Sequence, residues 1–342
     1  MSNSLRVLVV DDSAVVRQTI RSLLGTQPDI TTSVAHDPLM AMEKMKRERP
    51  DVIILDLEMP RMDGLTFLRQ IMKDDPIPVI ICSGYVGEAS VQAIHALQAG
   101  AVELIAKPRV GVQAFLEESA VLLIDAVRAA AASNPVRLLT TAKAARPVLS
   151  RPKPLHEPRL IAIGASTGGT DALREILREL PASTCGIAIV QHMPEFFTRS
   201  FAKNLNEVCA IDVKEAESGD ELRAGVALIA PGDKHLVVLA RGTRFYVDVV
   251  DGPLVSRHRP SVDVLFRSVA TAAGASAIGV ILTGMGADGA DGLATMKKAG
   301  AATIAQDEAS CVVFGMPREA IKRGAVDRVL PVSEIANALT SQ

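Results

Sequence analysis

Apolar residues in the first 125 positions follow two alternating patterns. Short runs rich in β-branched residues are typical of buried strands, and the stretches between them carry the apolar spacing of amphipathic helices. The pattern predicts strands at Arg6–Val10, Thr31–Ala35, Val52–Leu55, Pro78–Cys82 and Leu104–Ala106, and helices near Ala14–Leu24, Leu39–Arg47, Leu65–Met72, Glu88–Ala99 and from Gln113 onward. Five strands alternating with five helices indicate a small doubly wound parallel sheet.

The second half repeats this alternation with its own strands. Buried-strand patterns occur at Leu160–Ala165, Gly186–Val190 and Ile278–Leu282. An amphipathic helix follows the first of them and carries on one face Leu173, Ile176, Leu177 and Leu180. The predicted fold class is therefore α/β, with two doubly wound parallel-sheet domains.

A basic, proline-containing stretch separates the two halves. Residues 126–156 contain no Asp or Glu, but they contain six Lys or Arg and four Pro. This composition is typical of a linker, although residues 122–132 continue the preceding helical pattern. We expect a first domain over 1–125, a linker over 126–157 and a second domain over 158–342.

Composition and charge narrow the function classes. The 342-residue chain has a formal net charge of −2, 3% aromatic residues and no Trp, which argues against nucleic-acid binding. No apolar run approaches the roughly 18 residues of a membrane-spanning helix, and the N-terminus shows no signal-peptide pattern. The cysteines lack paired spacing, which indicates reduced core residues of a cytoplasmic protein.

A Gly-rich turn follows the strand at Leu160–Ala165. The segment Gly164-Ala-Ser166-Thr-Gly168 has the pattern G-x-S-x-G, in which a strand–turn–helix exposes a serine hydroxyl near helix N–H groups. Two interpretations of this segment alone are equally supported. Ser166 is either a nucleophile or an incidental residue of a phosphate-binding turn.

A base and an orienting acid are available at the ends of two other strands. His192 comes just after Gly186–Val190, and Asp288 lies in the turn after Ile278–Leu282. Alone, His192 is more typical of a structural histidine, and Asp288 of a turn residue. Because the carboxyl ends of parallel strands share one crevice, the three placements together favour a Ser166–His192–Asp288 triad. Their chain order differs from that of α/β-hydrolases, so we expect similar chemistry on another scaffold.

Three carboxylates meet at the corresponding edge of the first predicted sheet. Asp11 and Asp12 follow its first strand, and Asp56 follows its third. Carboxylates this close repel unless one is protonated or a cation is bound, and oxygen ligands favour a hard cation such as Mg²⁺. Ser83 and Lys107 follow the fourth and fifth strands. The set predicts a phosphoryl-acceptor site with Asp56 as the nucleophile.

The motifs around these residues resemble those of response-regulator receiver domains. They are Val9-Val10-Asp11-Asp12-Ser13, Leu55-Asp56-Leu-Glu-Met-Pro-Arg-Met-Asp-Gly64, Ser83 and Lys107-Pro108. The resemblance spans about residues 5–125 and implies a flavodoxin-like fold. It also implies Mg²⁺ binding by Asp12 and Asp56 with Asp11 nearby, phosphorylation of Asp56, and phosphoryl contacts from Ser83 and Lys107.

Two residues near the acceptor modify this expectation. Leu104 stands where many receivers carry an aromatic switch residue, which argues against an aromatic-flip mechanism but not against phosphorylation. Glu58 adds negative charge close to Asp56, and we expect it to affect the lifetime of the phosphoryl group.

Five motifs of the second half resemble the chemotaxis protein-glutamate methylesterase family, CheB, whose receiver and catalytic domains come in this order. They are Gly164-Ala-Ser166-Thr-Gly-Gly169, Gln191-His192-Met-Pro194, Ala230-Pro-Gly-Asp233, Arg259-Pro-Ser-Val-Asp263-Val-Leu-Phe266 and Leu282-Thr-Gly-Met-Gly-Ala-Asp-Gly289. The resemblance implies a Rossmann-like catalytic domain that hydrolyses γ-glutamyl methyl esters on the cytoplasmic helices of chemoreceptors and releases methanol. It also implies deamidation of receptor glutamines.

The same resemblance implies individual roles and partners. Ser166 is the nucleophile, His192 the base and Asp288 its orienting acid, while Met285 belongs to the oxyanion site and Thr167 assists. The esterase reaction needs no cofactor, and Mg²⁺ belongs to the receiver alone. The implied partners are methylated chemoreceptors and the histidine kinase of the chemotaxis pathway as phosphodonor. The unphosphorylated receiver is expected to cover the esterase cleft.

Other interpretations remain at this point. A DNA-binding output would need a short, basic helix-turn-helix, and the second half is too long and too rich in strands for one. A non-catalytic scaffold would be expected to lack a triad residue, and an esterase for small molecules stays possible. The basic cluster Arg257, His258 and Arg259 either contacts an acidic receptor helix or is a solvated surface. His235 and His258 are expected to be exposed.

Overall fold

The structure, a computed structural model, describes residues 4–84, 88–107, 113–133 and 160–340. They separate into two compact units that lie within residues 1–140 and 141–342. The first unit contains a parallel sheet whose described strands are β1 (Leu5–Val10), β2 (Ile30–Ala35), β3 (Val52–Leu55), β4 (Val79–Ser83) and β5 (Glu103–Ala106). Their spatial order is β2-β1-β3-β4-β5, which is the flavodoxin-like arrangement.

The described helices of the first unit are α1 (Ala14–Leu24), α2 (Pro38–Arg47), α3 (Gly64–Asp74), α4 (Glu88–Gln98) and α5 (Gln113–Ala132). Three of them begin at a polar capping residue in the loop that follows a strand. Ser13 accepts a hydrogen bond from Val16 N at 3.4 Å, and Asp37 and Asp63 accept from Met40 N and Thr66 N at 2.8 Å. Side chains that satisfy free helix N–H groups stabilise these starts.

The second unit is built on a seven-stranded sheet. Its described strands are β6 (Leu160–Ala165), β7 (Gly186–Gln191), β8 (Asp212–Glu215), β9 (Val226–Ile229), β12 (Ala277–Ile281), β13 (Ala302–Gln306) and β14 (Arg328–Leu330). They are ordered β14-β13-β12-β6-β7-β9-β8, and neighbouring strands in this order are parallel. The chain moves to one side of β6 and then returns to the other, so the crevice beside β6 is a topological switch point where ligands bind in such sheets.

The described helices of the second unit are α6 (Gly169–Arg178), α7 (Phe197–Asn206), α8 (Val262–Ala272), α9 (Ala290–Lys298), α10 (Met316–Lys322) and α11 (Val332–Thr340), with a 3₁₀ turn at Gly274–Ser276. The predicted apolar face of α6 is confirmed, because Leu173, Ile176 and Leu177 are buried; Leu180 is buried too, but it lies just beyond the end of the helix. On the other face of the sheet, α8 and α9 contribute to the core through Leu265, Phe266, Leu293 and Met296.

The alternation of strand and helix predicted for both halves is confirmed, but one element was not predicted. Strands β10 (His235–Arg241) and β11 (Arg244–Val250) form an antiparallel hairpin outside the main sheet. It contributes Leu236, Val238, Phe245 and Val247 to the core of the second unit.

The boundaries between the predicted domains fall mostly outside the described part of the chain. Helix α5 continues to Ala132 and so passes the expected boundary at residue 125. Most of the linker predicted at 126–157 lies outside the described residues, as does Pro108. Among the described helices, none has the length and apolar character required to cross a membrane.

Candidate active site and acceptor site

The turn after β6 holds Ser166 through its backbone. Ser166 N donates to Thr283 O at 3.0 Å, while Ser166 O accepts from Gly169 N at 2.7 Å and from Gln191 Nε2 at 2.9 Å. These bonds tie the turn to the residues after β12 and to the end of β7. The serine therefore lies at the switch point of the sheet, where α6 begins with Gly168 in the left-handed region at φ +75°.

The loop after β12 passes very close to Ser166 at Gly284, and only a glycine fits at this position. A Cβ on Gly284 would lie 2.6 Å from Ser166 Cβ and 2.4 Å from Met316 Sδ. Real Cβ atoms do not make such contacts, so a larger residue would displace the serine or the side chain of Met316. The glycines of the predicted motif thus allow two loops to meet at the candidate nucleophile.

His192 directly follows the neighbouring strand β7. The last register pair of β6 and β7 is Ala165↔Gln191, and His192 N donates to Ala165 O at 3.0 Å, so Ser166 and His192 follow the two strands at equivalent positions. His192 Nε2 is 2.8 Å from Asp288 Oδ2, as expected for a base and its orienting acid. Within the described residues Nδ1 is buried without a hydrogen-bond partner, so no bond between this nitrogen and the serine hydroxyl is formed.

Asp288 is held as an anion at the start of α8. Its carboxylate accepts hydrogen bonds from Ser261 Oγ at 2.8 Å, Val262 N at 2.7 Å and Asp263 N at 3.1 Å, besides the contact with His192. Burial opposes ionisation, but the bonds from His192, Ser261 and Val262 outweigh it and hold the pKa of Asp288 below its usual value. The helix N-terminus favours the same negative charge.

Two histidines expected to be exposed are instead part of this region. His235 is 3% exposed, and its two ring nitrogens bond to Ser261 N and Pro253 O. His258 stacks on His192 with 3.8 Å between ring centroids and an interplanar angle of 12°. The expectation of exposure was wrong because the polar sequence around both residues packs against the base and the acid.

The basic cluster predicted at residues 257–259 is not one surface. His258 faces His192, and Arg259 is paired with another residue, because its Nε bonds to Asp233 Oδ1 at 2.9 Å. Arg257 is exposed. Neither of the two earlier interpretations describes the cluster as a whole.

Met285, the predicted oxyanion residue, follows Gly284 in the loop that packs on Ser166. A Cβ on Gly315 would be 3.0 Å from Met285 Cα, which shows how tightly this loop is packed. The carbonyl of Gly284 accepts from the amides of Gly315 and Met316, whereas Met285 N donates to no other residue in the described part of the chain. That amide can therefore donate to an incoming oxygen. Thr167, the predicted assisting residue, is buried next to Ser166.

Thr283 is a buried residue whose role sequence reasoning missed. Its hydroxyl contacts Thr167 O at 2.9 Å and accepts from Val312 N at 3.1 Å and Val313 N at 3.0 Å. It thereby connects the nucleophile turn with the loop before α10. A buried hydroxyl with several polar neighbours is costly to remove, because each group left unpaired lowers the stability of the fold.

Replacing Thr283 by Val is expected to destabilise the second unit by about 3 kcal/mol, since amides and a carbonyl lose their buried partner. Thr283→Ser keeps the hydroxyl and removes only a methyl group, which should cost about 1 kcal/mol. Urea unfolding followed by circular dichroism measures both changes. Equal stability of the two variants would show that the hydroxyl has no such role.

The three acidic residues of the predicted acceptor site lie together at the carboxyl end of the first sheet. Asp11, Asp12 and Asp56 each place one carboxylate oxygen within 4.8 Å of the others. Lys107 Nζ lies 3.2 Å from Asp11 Oδ2 and 2.7 Å from Asp56 Oδ2. Burial raises the pKa of Asp56 to about 6, even though Lys107 opposes this shift, and it also raises that of Asp11.

Two observations show that this pocket fits a cation and a phosphoryl group. Lys107 pairs with the buried carboxylates of Asp11 and Asp56, and the exposed carboxylate of Asp12 lies beside them. One positive charge thus faces three carboxylates, which leaves negative charge for a divalent cation. Ser83 Oγ is buried without a hydrogen-bond partner among the described residues, which is costly unless a further group binds there. Glu58 N donates to Asp56 Oδ1 at 3.3 Å, and Leu104 is buried within β5.

Comparison with known proteins gives matches for both units. Residues 161–339 match the CheB methylesterase family, and residues 7–116 match the response regulator receiver domain. The chain is 56% identical, over 97% of its length and 94% of the relative's, to protein-glutamate methylesterase/protein-glutamine glutaminase 5 of Anaeromyxobacter dehalogenans. It is 55% identical to protein-glutamate methylesterase/protein-glutamine glutaminase 2 of Chromobacterium violaceum, covering 98% of this chain and 99% of that one.

A solved structure also resembles the second unit. The crystal structure of the Thermotoga maritima CheB methylesterase catalytic domain shares 39% sequence identity with this chain at a TM-score of 0.52. The match covers 54% of this chain and 98% of that one. The α/β fold expected for the second half is therefore confirmed.

Proposed function

The chain belongs to the CheB methylesterase family and carries a response regulator receiver domain, and on this basis we propose that it is a phosphorylation-activated protein-glutamate methylesterase. Its substrates are glutamate methyl esters of chemoreceptors, from which it releases methanol. The observation that carries the proposal is the placement of Ser166 beside a histidine bonded to Asp288, at the switch point of the sheet.

The histidine geometry supports one path for the proton. Because Nε2 donates to Asp288, Nδ1 is the nitrogen available to Ser166. Ser166 Oγ attacks the ester carbonyl carbon while its proton moves to Nδ1, and Asp288 stabilises the imidazolium. The proton then passes to the departing methoxide, which leaves as methanol. Water repeats the sequence on the acyl-serine and yields glutamate and free Ser166.

Charge on the former carbonyl oxygen develops during both steps. The amide of Met285 lies in the loop that packs against Ser166, and we assign it to this oxygen with Thr167 assisting nearby. The same site accepts a glutamine side chain, whose leaving group is ammonia instead of methanol. We therefore include protein-glutamine deamidation in the proposal, in line with the names of the relatives.

The receiver supplies control. Asp56 accepts a phosphoryl group from the histidine kinase of the chemotaxis pathway, while Ser83 and Lys107 contact the phosphoryl oxygens. Asp11, Asp12 and Asp56 would hold Mg²⁺, which neutralises phosphoryl charge when bound. We place the receiver at residues 1–125, the linker at 126–157 and the catalytic domain at 158–342. A cytoplasmic location is part of the proposal, and the four free cysteines support it.

The test compares two substrates. Purified protein, activated with a small phosphodonor, is given radiolabelled methylated chemoreceptor or a small methyl ester at equal ester concentration. The proposal expects methanol release from the receptor at a much higher kcat/KM. Equal or higher efficiency on the small ester would favour an esterase for small molecules instead.

Mg²⁺ binding is expected to depend on pH. The pKa of Asp56 is raised to about 6, so below that pH Mg²⁺ must displace a proton and its apparent affinity should fall, by up to about tenfold per pH unit. Calorimetric titration in buffers of different ionisation enthalpy measures the released proton. Asp56→Asn should lose the part of the dependence centred near pH 6. Equal proton release at pH 5.5 and 7.5 in the unsubstituted protein would contradict this prediction.

A further inference from the structure

One face of the His192 ring is covered by a second imidazole. His258 lies parallel to it, with ring centroids 3.8 Å apart and 12° between the planes. The other partner of the base is in the ring plane, where Nε2 meets Asp288. The covered face and the in-plane bond together restrict how the His192 ring can turn.

The turn that carries His258 has an unusual backbone. Val255 N donates to His258 O at 3.1 Å, and His258 N donates to Val255 O at 2.9 Å, which closes a two-residue turn. The two residues inside it, Ser256 and Arg257, have φ of 53° and 68°. Neither is glycine, so both adopt a left-handed conformation at a cost in free energy. Such strain persists when the surrounding structure fixes it, and it is concentrated at functional sites.

The residues that follow His258 are held in place by hydrogen bonds. Arg259 bonds to Asp233 Oδ1 and to Gly252 O, and Ser261 Oγ bonds to Asp288. One short segment, residues 255–263, therefore provides both the ring that covers His192 and three of the donors that hold Asp288.

The imidazole of His258 is uncharged, as a ring stacked on the base must be if it is not to repel the protonated base. Burial, together with the charges of His192 and Arg257, holds the pKa of His258 well below its usual value, although Asp288 acts in the opposite direction. The ring is therefore neutral at neutral pH. A neutral ring adds no repulsion when His192 takes the serine proton.

We propose that His258 is a positioning residue of the esterase site. By stacking flat on His192, it keeps Nε2 on Asp288 and Nδ1 directed to Ser166, and it excludes water from the covered face. This role rests on the proposed function, since it concerns the base that activates the serine. A shift of about 1 Å in such a group can lower the rate by about 10²-fold.

Three substitutions separate the contributions of shape and charge. His258→Ala removes the ring and should lower kcat for methanol release by about 10²-fold, with KM for the receptor within threefold. His258→Phe restores a flat neutral surface and should return kcat to within about fivefold of the unsubstituted enzyme. His258→Arg restores a flat group but adds a permanent positive charge, so its kcat should be at least tenfold below that of His258→Phe.

A spectroscopic measurement adds a readout that fold stability alone does not move. The ¹⁵N shifts of His192 should report a proton on Nε2 in the unsubstituted protein and in His258→Phe, and a mixture of tautomers in His258→Ala. Leu254→Ala, which truncates an exposed side chain just before the turn, is the matched control and should leave kcat unchanged.

The outcomes separate this inference from the proposed function. Normal kcat in folded His258→Ala would overturn the positioning role. If His258→Ala does not fold, a folded His258→Phe whose kcat is more than about tenfold below that of the unsubstituted enzyme would overturn it, because a flat neutral ring should restore the position of His192. Methanol release by Ser166→Ala at the unsubstituted rate would instead overturn the proposed function, whatever the His258 variants do.

Discussion

Ser166→Ala is expected to lower receptor methanol release by a factor on the order of 10⁶, because members of a triad act as a unit and loss of the nucleophile removes their shared contribution. The fold should remain intact, since the backbone bonds that hold the turn do not use the hydroxyl. Methanol release from labelled receptor measures the loss, and circular dichroism measures the fold.

The control removes a different hydroxyl from the same unit. Ser333 is exposed at the start of α11, and Ser333→Ala should keep full activity and full labelling by a fluorophosphonate. Ser166→Ala should show neither. His192→Ala should be similarly severe, and Asp288→Asn should lower kcat by roughly 10⁴-fold, because it disturbs the tautomer of the base without removing it. More than about 1% residual activity in purified Ser166→Ala would contradict the assignment, given the size of the expected loss.

The ends of the strands explain why so much of the site could be predicted from sequence. In a parallel sheet a residue that follows a buried apolar run must lie at the carboxyl edge, so Ser166 and His192 could be expected together before any coordinates were known. The register Ala165↔Gln191 is consistent with that reasoning. The same rule brought Asp11 and Asp56 together in the first unit.

The residues that were missed depend on contacts between distant segments. Ser261 could have been identified, since a serine before the apolar spacing of Val262, Leu265 and Phe266 is a helix-start signal. The partner of its hydroxyl is Asp288, 27 positions away, and no local pattern indicates this bond. His258 lies in a polar stretch whose packing on His192 arises only when the chain folds.

The hairpin of β10 and β11 was not predicted, although the sequence contains the pattern that indicates it. Leu236 and Val238 alternate with other residues before Gly242-Thr243, and Phe245 and Val247 alternate after it. Alternation on both sides of a two-residue Gly-containing turn is typical of a β-hairpin. The strands of a buried parallel sheet are continuous apolar runs, and this alternating segment does not have that pattern.

Asp56→Asn is expected to abolish activation of the esterase by a small phosphodonor and Mg²⁺. If the unphosphorylated receiver covers the cleft, the active state is a minor population, and raising it from about 1% to nearly all requires about 5.5 kcal/mol of differential free energy. The side-chain amide of Asn cannot form an acyl phosphate. The variant therefore gains none of the free energy that would shift the population to the active state. Ser83 and Lys107, which lie beside the acceptor at the ends of β4 and β5, are where a phosphoryl group would change the receiver.

The measurement is methanol release with and without phosphodonor and Mg²⁺ in four proteins. The unsubstituted enzyme should be activated, and so should Asp74→Asn, which removes an exposed carboxylate at the end of α3. Asp56→Asn should give the same low rate in both conditions. A fragment that begins at residue 159 should fold and be active in both, because it lacks the receiver. If Asp56→Asn responds to the phosphodonor as the unsubstituted enzyme does, phosphoryl control does not act through Asp56. If the fragment is inactive while the full-length enzyme is active, the two domains are not independent.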